Sequence, residues 1–236
     1  MSQIQKIILT IFLVDLCGIL YLQHPLEIKN PIIGVVLFTV IMSLVLASLM
    51  VKKKSKDHQT IGYAILFIGL GDVFLVISGI FLPDYDHISN PLGMLAFTCA
   101  YATLSLLFAK NFALQKSDML KAIPVLLVIL PVLSILLPNI QGVMFILAIV
   151  FSLVVSFMAW NALCCLHRGY YNNKVATRFA IAGFLMLLSD MGVAFVLFYP
   201  DPAISQSAWL QNEIWITYVP AWALIFVNLL EEKLVA

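Results

Sequence analysis

Gly69-Leu70-Gly71-Asp72-Val73-Phe74-Leu75 puts a glycine-flanked carboxylate in the middle of an apolar run reaching from about Ile61 to Leu82. A run of that length crosses a hydrocarbon core as one helix, and a carboxylate near its centre costs several kcal/mol unless it faces protein or water. The device recurs as Leu187-Leu188-Ser189-Asp190 inside a second long apolar run. The two aspartates are 118 positions apart in a chain of 236 residues, half its length.

Working outward, the whole chain is 63% hydrophobic and 11% charged, with a mean hydropathy of +1.05. An ordinary soluble domain carries roughly 25% charged residues, so the composition excludes one and predicts an all-α, polytopic membrane protein. The formal net charge of +1 leaves no basic field for nucleic acid. Cys17, Cys99, Cys164 and Cys165 sit within or at the ends of apolar runs, without a CxxC or a secreted-domain spacing, and read as small apolar packing residues. Lys6 precedes an apolar stretch that contains Asp15 and is followed by no small-residue cleavage site, the pattern of a retained first span.

Eight apolar segments are expected to span, at about 4–21, 31–51, 60–82, 92–109, 119–137, 140–166, 176–199 and 212–230. Pro25, Pro31, Pro83, Pro91, Pro138, Pro200 and Pro202 punctuate segment ends, while Pro124, Pro131 and Pro220 fall inside segments and predict kinks. With a cytoplasmic N-terminus, the inside face holds Lys6, the Lys52-Lys53-Lys54-Ser55-Lys56 run, Lys110, Lys116, Lys121, Arg168, Lys174, Arg178 and Lys233. The outside holds Lys29 alone. Twelve against one predicts that both termini are cytoplasmic, and the lysine run reads as a topology determinant. The expected location is the cytoplasmic membrane of a bacterium. A single transmembrane domain covers 1–236, and a four-plus-four parallel repeat would divide it into about 1–118 and 119–236. Phe81-Leu82-Pro83-Asp84 then matches Phe198-Tyr199-Pro200-Asp201, one residue out of register with the aspartates.

Counted inward from Ile4, Thr60 and Arg178, the residues Asp15, Asp72 and Asp190 lie 11 to 12 positions deep, or roughly 17 Å. Three carboxyls on helices entering from one side thus reach a common level, with Tyr218, Phe97 and Thr98 at the same depth, and are placed to line one cavity. Gly69 and Gly71 remove bulk beside Asp72, and Ser189 beside Asp190 can hydrogen-bond its own helix or a neighbour. Two carboxyls sharing a low-dielectric site divide into one acid and one anion, the arrangement that cleaves acetal-like ethers. The plainer alternative is that each aspartate is neutral and ties two helices together. His24, His58, His87 and His167 lie in predicted loops or at helix ends with no HxxxH pair, and neither a phosphate loop nor a GxSxG elbow is present. No metal or cofactor is expected.

In Gly71-Asp72-Val73-Phe74-Leu75 of the third span and Ser189-Asp190 of the seventh, on an eight-span plan covering nearly the whole chain, the sequence resembles the YhhN family, whose animal relatives are lysoplasmalogenases. Lys29 with Pro31, and Gly93 with Phe97, are weaker echoes. The resemblance implies hydrolysis of the vinyl ether bond of a lysoplasmalogen, an ether-linked lysophospholipid held in the bilayer, with release of a fatty aldehyde and a glycerophospho head group. It makes Asp72 and Asp190 the acid and base pair, with substrate contacts from Lys29, Gly71, Phe97, Tyr101, Ser189, Tyr218, Trp222 and Asp15. Two positions depart from the family pattern. Tyr101 stands where a histidine usually follows the fourth-span phenylalanine, and Trp222 stands where a glutamine usually follows the last-span tyrosine. These departures imply a changed head-group preference, another lipid substrate, or no catalysis. A proton- or cation-linked transporter and a non-catalytic lipid-binding protein are the alternatives. A dead-end cavity opening toward one leaflet separates the hydrolase from a transporter, whose pathway reaches both faces.

Overall fold

The computed structural model describes residues 3–23 and 31–236. Lys29, with His24 and Pro25, lies outside the described residues. The described chain is all-helical. Its long helices are α1 (Gln3–Gln23), α2 (Pro31–Met50), α3 (Lys56–Asp72), α5 (Asp86–Phe108), α6 (Lys116–Leu136), α7 (Gly142–Arg168), α8 (Asn173–Phe198) and α10 (Ala208–Leu229). Two short helices join them, α4 (Ser78–Phe81) and α9 (Pro202–Ser205). Among the described residues, five stretches are long and apolar enough to cross a membrane: Lys56–Phe81, Pro83–Phe108, Lys116–Asn139, Gly142–Arg168 and Asn173–Phe198.

The helices outrun the apolar segments where polar residues can cap them. Ser55 accepts a hydrogen bond from the His58 amide at 3.3 Å, and Asn172 accepts one from the Val175 amide at 3.1 Å. Each satisfies an amide that the first turn leaves without an intrahelical partner. Gly169, at φ +67°, ends α7 in the left-handed conformation. Pro91 departs from the expectation of a segment boundary, because α5 starts at Asp86 and carries it inside the helix. Pro124, Pro131 and Pro220 also lie within helices.

Asp72 closes α3, and the five residues after it, Val73–Ile77, form a π turn before α4 continues the same rod. A π turn holds one residue more than an α turn, and such bulges concentrate at functional sites. Around this rod, α5 packs against α3 and α7, α8 against α7 and α10, and α1 against α10.

One end of the bundle is tied by polar contacts. Lys110 pairs with Asp57 at 3.1 Å, and Asp57 also accepts from the Tyr170 hydroxyl at 3.1 Å. Arg178 reaches Glu231 at 2.5 Å, the Glu231 carbonyl meets His58 at 3.0 Å, and Gln5 donates to the Val227 carbonyl at 3.4 Å. Asp118 holds His167 at 2.6 Å and Arg168 at 3.3 Å. The C-terminal residues fold back over this end, with the Ala236 amide on the Tyr170 carbonyl. Partial burial opposes the Glu231 charge, but hydrogen bonds from Arg178 and Gln5 and the guanidinium charge outweigh it and hold its carboxyl below the ordinary range. A depressed carboxyl contributes stability above its unfolded value that is lost as pH falls. All twelve basic residues of the described chain lie toward this end. The loops around Pro83, Asn139 and Asp201 form the other.

Candidate active site

A cavity of about 270 Å³ opens in the half of the bundle away from the basic residues. The π turn, α5, α6, α7, α8 and α10 wall it, mostly with apolar side chains such as Met94, Leu133, Phe151, Ala194 and Trp215. On five of these walls the lining residue nearest the basic end is Asp72, Phe97, Ser152, Asp190 or Tyr218, so these form the floor. Below it, Tyr101, Leu104, Met158, Leu187 and Trp222 are fully buried, at 0% exposure. The cavity is therefore closed toward the basic end.

Each floor aspartate is held by one tyrosine. Tyr218 donates to Asp72 Oδ2 at 2.9 Å, and Tyr101 donates to Asp190 Oδ1 at 2.9 Å. Asp190 Oδ2 is buried with no hydrogen-bond partner among the described residues. An acceptor left this way costs about 1–3 kcal/mol, and it belongs to a residue that lines the cavity. The tyrosines are fixed in turn by aromatic packing. Tyr101 stacks on Trp222 at 6.4 Å and 15°, and Phe97 meets Tyr218 edge-on at 6.3 Å. Gly71 allows this arrangement, since a Cβ there would come within 2.5 Å of the Phe97 ring. Gly69 faces the other way, toward Val45 on α2. The space beside Asp72 that the sequence leaves open is taken by neighbouring side chains.

Asp72, Asp190, Phe97 and Tyr218 are thus brought to one cavity. Tyr101 and Trp222 lie one layer deeper and bear on it through the residues they support: Tyr101 through Asp190, Phe97 and Phe151, and Trp222 through Tyr218. Ser189 is buried, and its Oγ donates to the Ile214 carbonyl at 3.3 Å, tying α8 to α10. Asp15 sits half-buried on α1 and is not among the cavity-lining residues.

The model of the YhhN family matches residues 34–229. The chain belongs to the YhhN family. No curated protein and no solved structure matches it. The match takes in both floor aspartates and both tyrosines, so the YhhN region of the chain contains the entire cavity.

Sequence reasoning passed over several polar residues. Asn90 and Gln211 line the upper cavity, and Glu213 lies half-buried beside Gly192 of α8. Glu213 was visible as an ionisable residue in the eighth apolar segment, but it lies at that segment's start and not at the depth that singled out Asp15, Asp72 and Asp190. Among the described residues, Asp118, Cys164 and His167 are the one group of metal-capable side chains, with atoms within 4.8 Å of one another. Arg168 already supplies the counter-charge on the second Asp118 oxygen, which makes the group an ion cluster joining α6 to α7.

Proposed function

We propose that this YhhN protein is an intramembrane hydrolase that cleaves the vinyl ether bond of a lysoplasmalogen, releasing a fatty aldehyde and a glycerophospho head group. The observation that carries this reading is the pair of tyrosine-held carboxyls on the floor of an apolar cavity closed toward the basic end. One carboxyl delivers a proton to the outer carbon of the C=C–O unit, which makes an oxocarbenium ion. The other stabilises that cation and takes a proton from the water that adds to it. The hemiacetal so formed collapses to aldehyde and alcohol. Apolar walls suit the hydrocarbon chain and keep bulk water from the ion.

The floor also argues against a transport pathway, which needs access from both faces, whereas several fully buried side chains lie between the aspartates and the basic end. For the membrane arrangement, we infer eight spans with both termini and the basic end in the cytoplasm, so that the cavity opens toward the opposite leaflet. Clustering of the basic residues at one end supports this. Impermeant thiol reagents applied to intact cells should label a cysteine at Asn139 and spare one at Lys54; the reverse pattern would overturn the orientation.

We further propose that the chain is a four-plus-four repeat. Asp72 bonds Tyr218 and Asp190 bonds Tyr101, so the third helical rod of each half pairs with the last helix of the other half. The tyrosines are 117 positions apart and the aspartates 118. The first half therefore holds one extra residue after Asp72, where the π turn absorbs one.

The deciding experiment is aldehyde release from lysoplasmenyl-choline and lysoplasmenyl-ethanolamine by purified protein in detergent micelles. Stoichiometric aldehyde with repeated turnover is expected; none from folded protein sinks the reading.

A further inference from the structure

Ser152 is the polar floor residue that the hydrolytic scheme leaves unused. Ala148, Ser152 and Val155 are the buried positions along this stretch of α7, spaced as one helix face. Ala148 and Ser152 both line the cavity. The residue before Ser152, Phe151, packs on the Tyr101 ring at 5.8 Å, and Tyr101 bonds Asp190, so α7 is fixed against the floor at this level. Ser152 is 8% exposed and makes no hydrogen bond among the described residues, and its Oγ keeps open surface. A hydroxyl within a helix can instead fold back onto the carbonyl four residues earlier. Thr98, Ser105 and Thr217 on α5 and α10 do so, at 2.7 to 2.8 Å. Ser152 does not, which leaves one donor and its acceptor lone pairs free at the floor. The Tyr218 proton is already given to Asp72, and the two carboxyls carry the acid and base steps.

We propose that Ser152 binds the free hydroxyl on carbon 2 of the substrate's glycerol and thereby selects a single-chain ether lipid. This rests on the hydrolase reading. In a 1-alkenyl glycerol lipid the carbon-2 hydroxyl is joined to the vinyl ether oxygen through two carbons only. When the C=C–O unit lies at Asp72 and Asp190, that hydroxyl is held at floor level with it. The uncommitted amides of Asn90 and Gln211 are too far up the cavity to serve. Each lies seven residues from the floor residue of its own helix, Phe97 or Tyr218, or about 10 Å along the axis. A hydroxyl buried without a partner is costly, and Ser152 Oγ can accept its proton or donate to its oxygen. A site built to bond a substrate hydroxyl discriminates against the analogue that lacks one, because the site's own polar group is then stranded. An ester at carbon 2, as in a two-chain lipid, removes the proton and adds a second chain at the closed end of the cavity, beneath which Tyr101 and Met158 are fully buried. The contact is one of binding alone, and no bond forms or breaks at Ser152.

The test uses the full chain in micelles and two probes, lysoplasmenyl-choline and its 2-deoxy analogue, in which hydrogen replaces the carbon-2 hydroxyl. The parent should release aldehyde from the hydroxyl-bearing probe with a kcat/KM about 3- to 10-fold above the analogue's, the range that one neutral hydrogen bond supports. Ser152→Ala should bring the two probes to within about twofold of each other, because alanine leaves no polar group to strand and none to bond. Ser152→Cys, close to serine in size and a weak donor, should lose most of the preference too. A parent that treats the probes alike overturns the assignment without any variant. A variant that loses activity on both probes in equal proportion, and so keeps the preference, overturns it as well, since Ser152 then acts on the floor and not on the hydroxyl. If the parent releases no aldehyde from either probe, the hydrolase reading itself fails and the assignment goes with it.

Discussion

Asp72→Asn and Asp190→Asn should each lower aldehyde release by about 10²- to 10⁴-fold, the range over which a positioned proton donor or acceptor contributes. Asparagine keeps the size of the side chain and an oxygen able to accept from Tyr218 or Tyr101, so the aromatic floor and the fold should survive. What it loses is the exchangeable proton. The distinction matters because the alternative role of these residues, tying helices together, needs only the acceptor. If the aspartates are ties, both variants will bind and turn over substrate as the parent does, and the acid and base assignment is wrong. Asp15→Asn belongs in the same experiment. Asp15 is not a cavity-lining residue, so its replacement should leave the rate within about twofold, as expected of a half-buried position away from the chemistry. A large loss there would mean that three carboxyls act together.

The difference between Asp15 and the other two shows where sequence reading stops. Depth along a helix is legible from residue counts, and all three aspartates were counted to the same level. Rotation about the helix axis is not, because a helix that is apolar all round gives no direction for its inner face. Asp72 and Asp190 point into the bundle because Gly71 lets Phe97 in close and because Tyr218 and Tyr101 reach across from other helices. The glycines and tyrosines are visible in the sequence; their partners on distant segments are not. Tyr101 and Trp222 show the same limit. As departures from the family pattern they suggested altered substrate contacts, yet both lie beneath the floor, where they act on a ligand through Asp190, Phe97, Phe151 and Tyr218.

On the proposed four-plus-four repeat, the one-residue slip between the halves is legible in the sequence, but its meaning is not. Between Asp72 and Phe81 the chain has one residue more than between Asp190 and Phe198. In an α-helix an inserted residue rotates everything after it by about 100°, which would turn the outer part of the rod away from the cavity. The π turn at Val73–Ile77 takes up that residue locally, so Leu75 and Val76 still line the cavity. Hydropathy cannot reveal this, because Val73-Phe74-Leu75-Val76-Ile77 reads as an unbroken apolar helix.

Asp118→Ala should destabilise the protein by about 3–5 kcal/mol, the usual cost of removing one partner from a buried ion pair. Asp118 is 1% exposed and Arg168 is 4% exposed in their side chains. Without the carboxylate, the guanidinium keeps only the Phe108 carbonyl, Asn161 Oδ1 and the face of Phe112. Those contacts supply hydrogen bonds but no counter-charge. Lys110→Ala should cost less, because that lysine is 37% exposed and the Asp57 carboxylate it leaves, at 8%, keeps the Tyr170 hydroxyl. Unfolding in micelles, followed by circular dichroism, measures both, and similar small losses would show that Arg168 finds water when Asp118 is gone. Combining Asp118→Leu with Arg168→Met should recover most of the loss, since the penalty arises from the stranded charge and not from the missing bond. The cluster also bears on the site at long range. It fixes the start of α6, with Trp160 donating to the Asp118 carbonyl at 2.6 Å, while Val132, Leu133 and Leu136 near the other end of α6 wall the cavity. Two prolines, Pro124 and Pro131, lie between anchor and wall. An α6 released at its base should therefore loosen the cavity wall, and Asp118→Ala should weaken substrate binding more than it slows a single turnover of bound substrate.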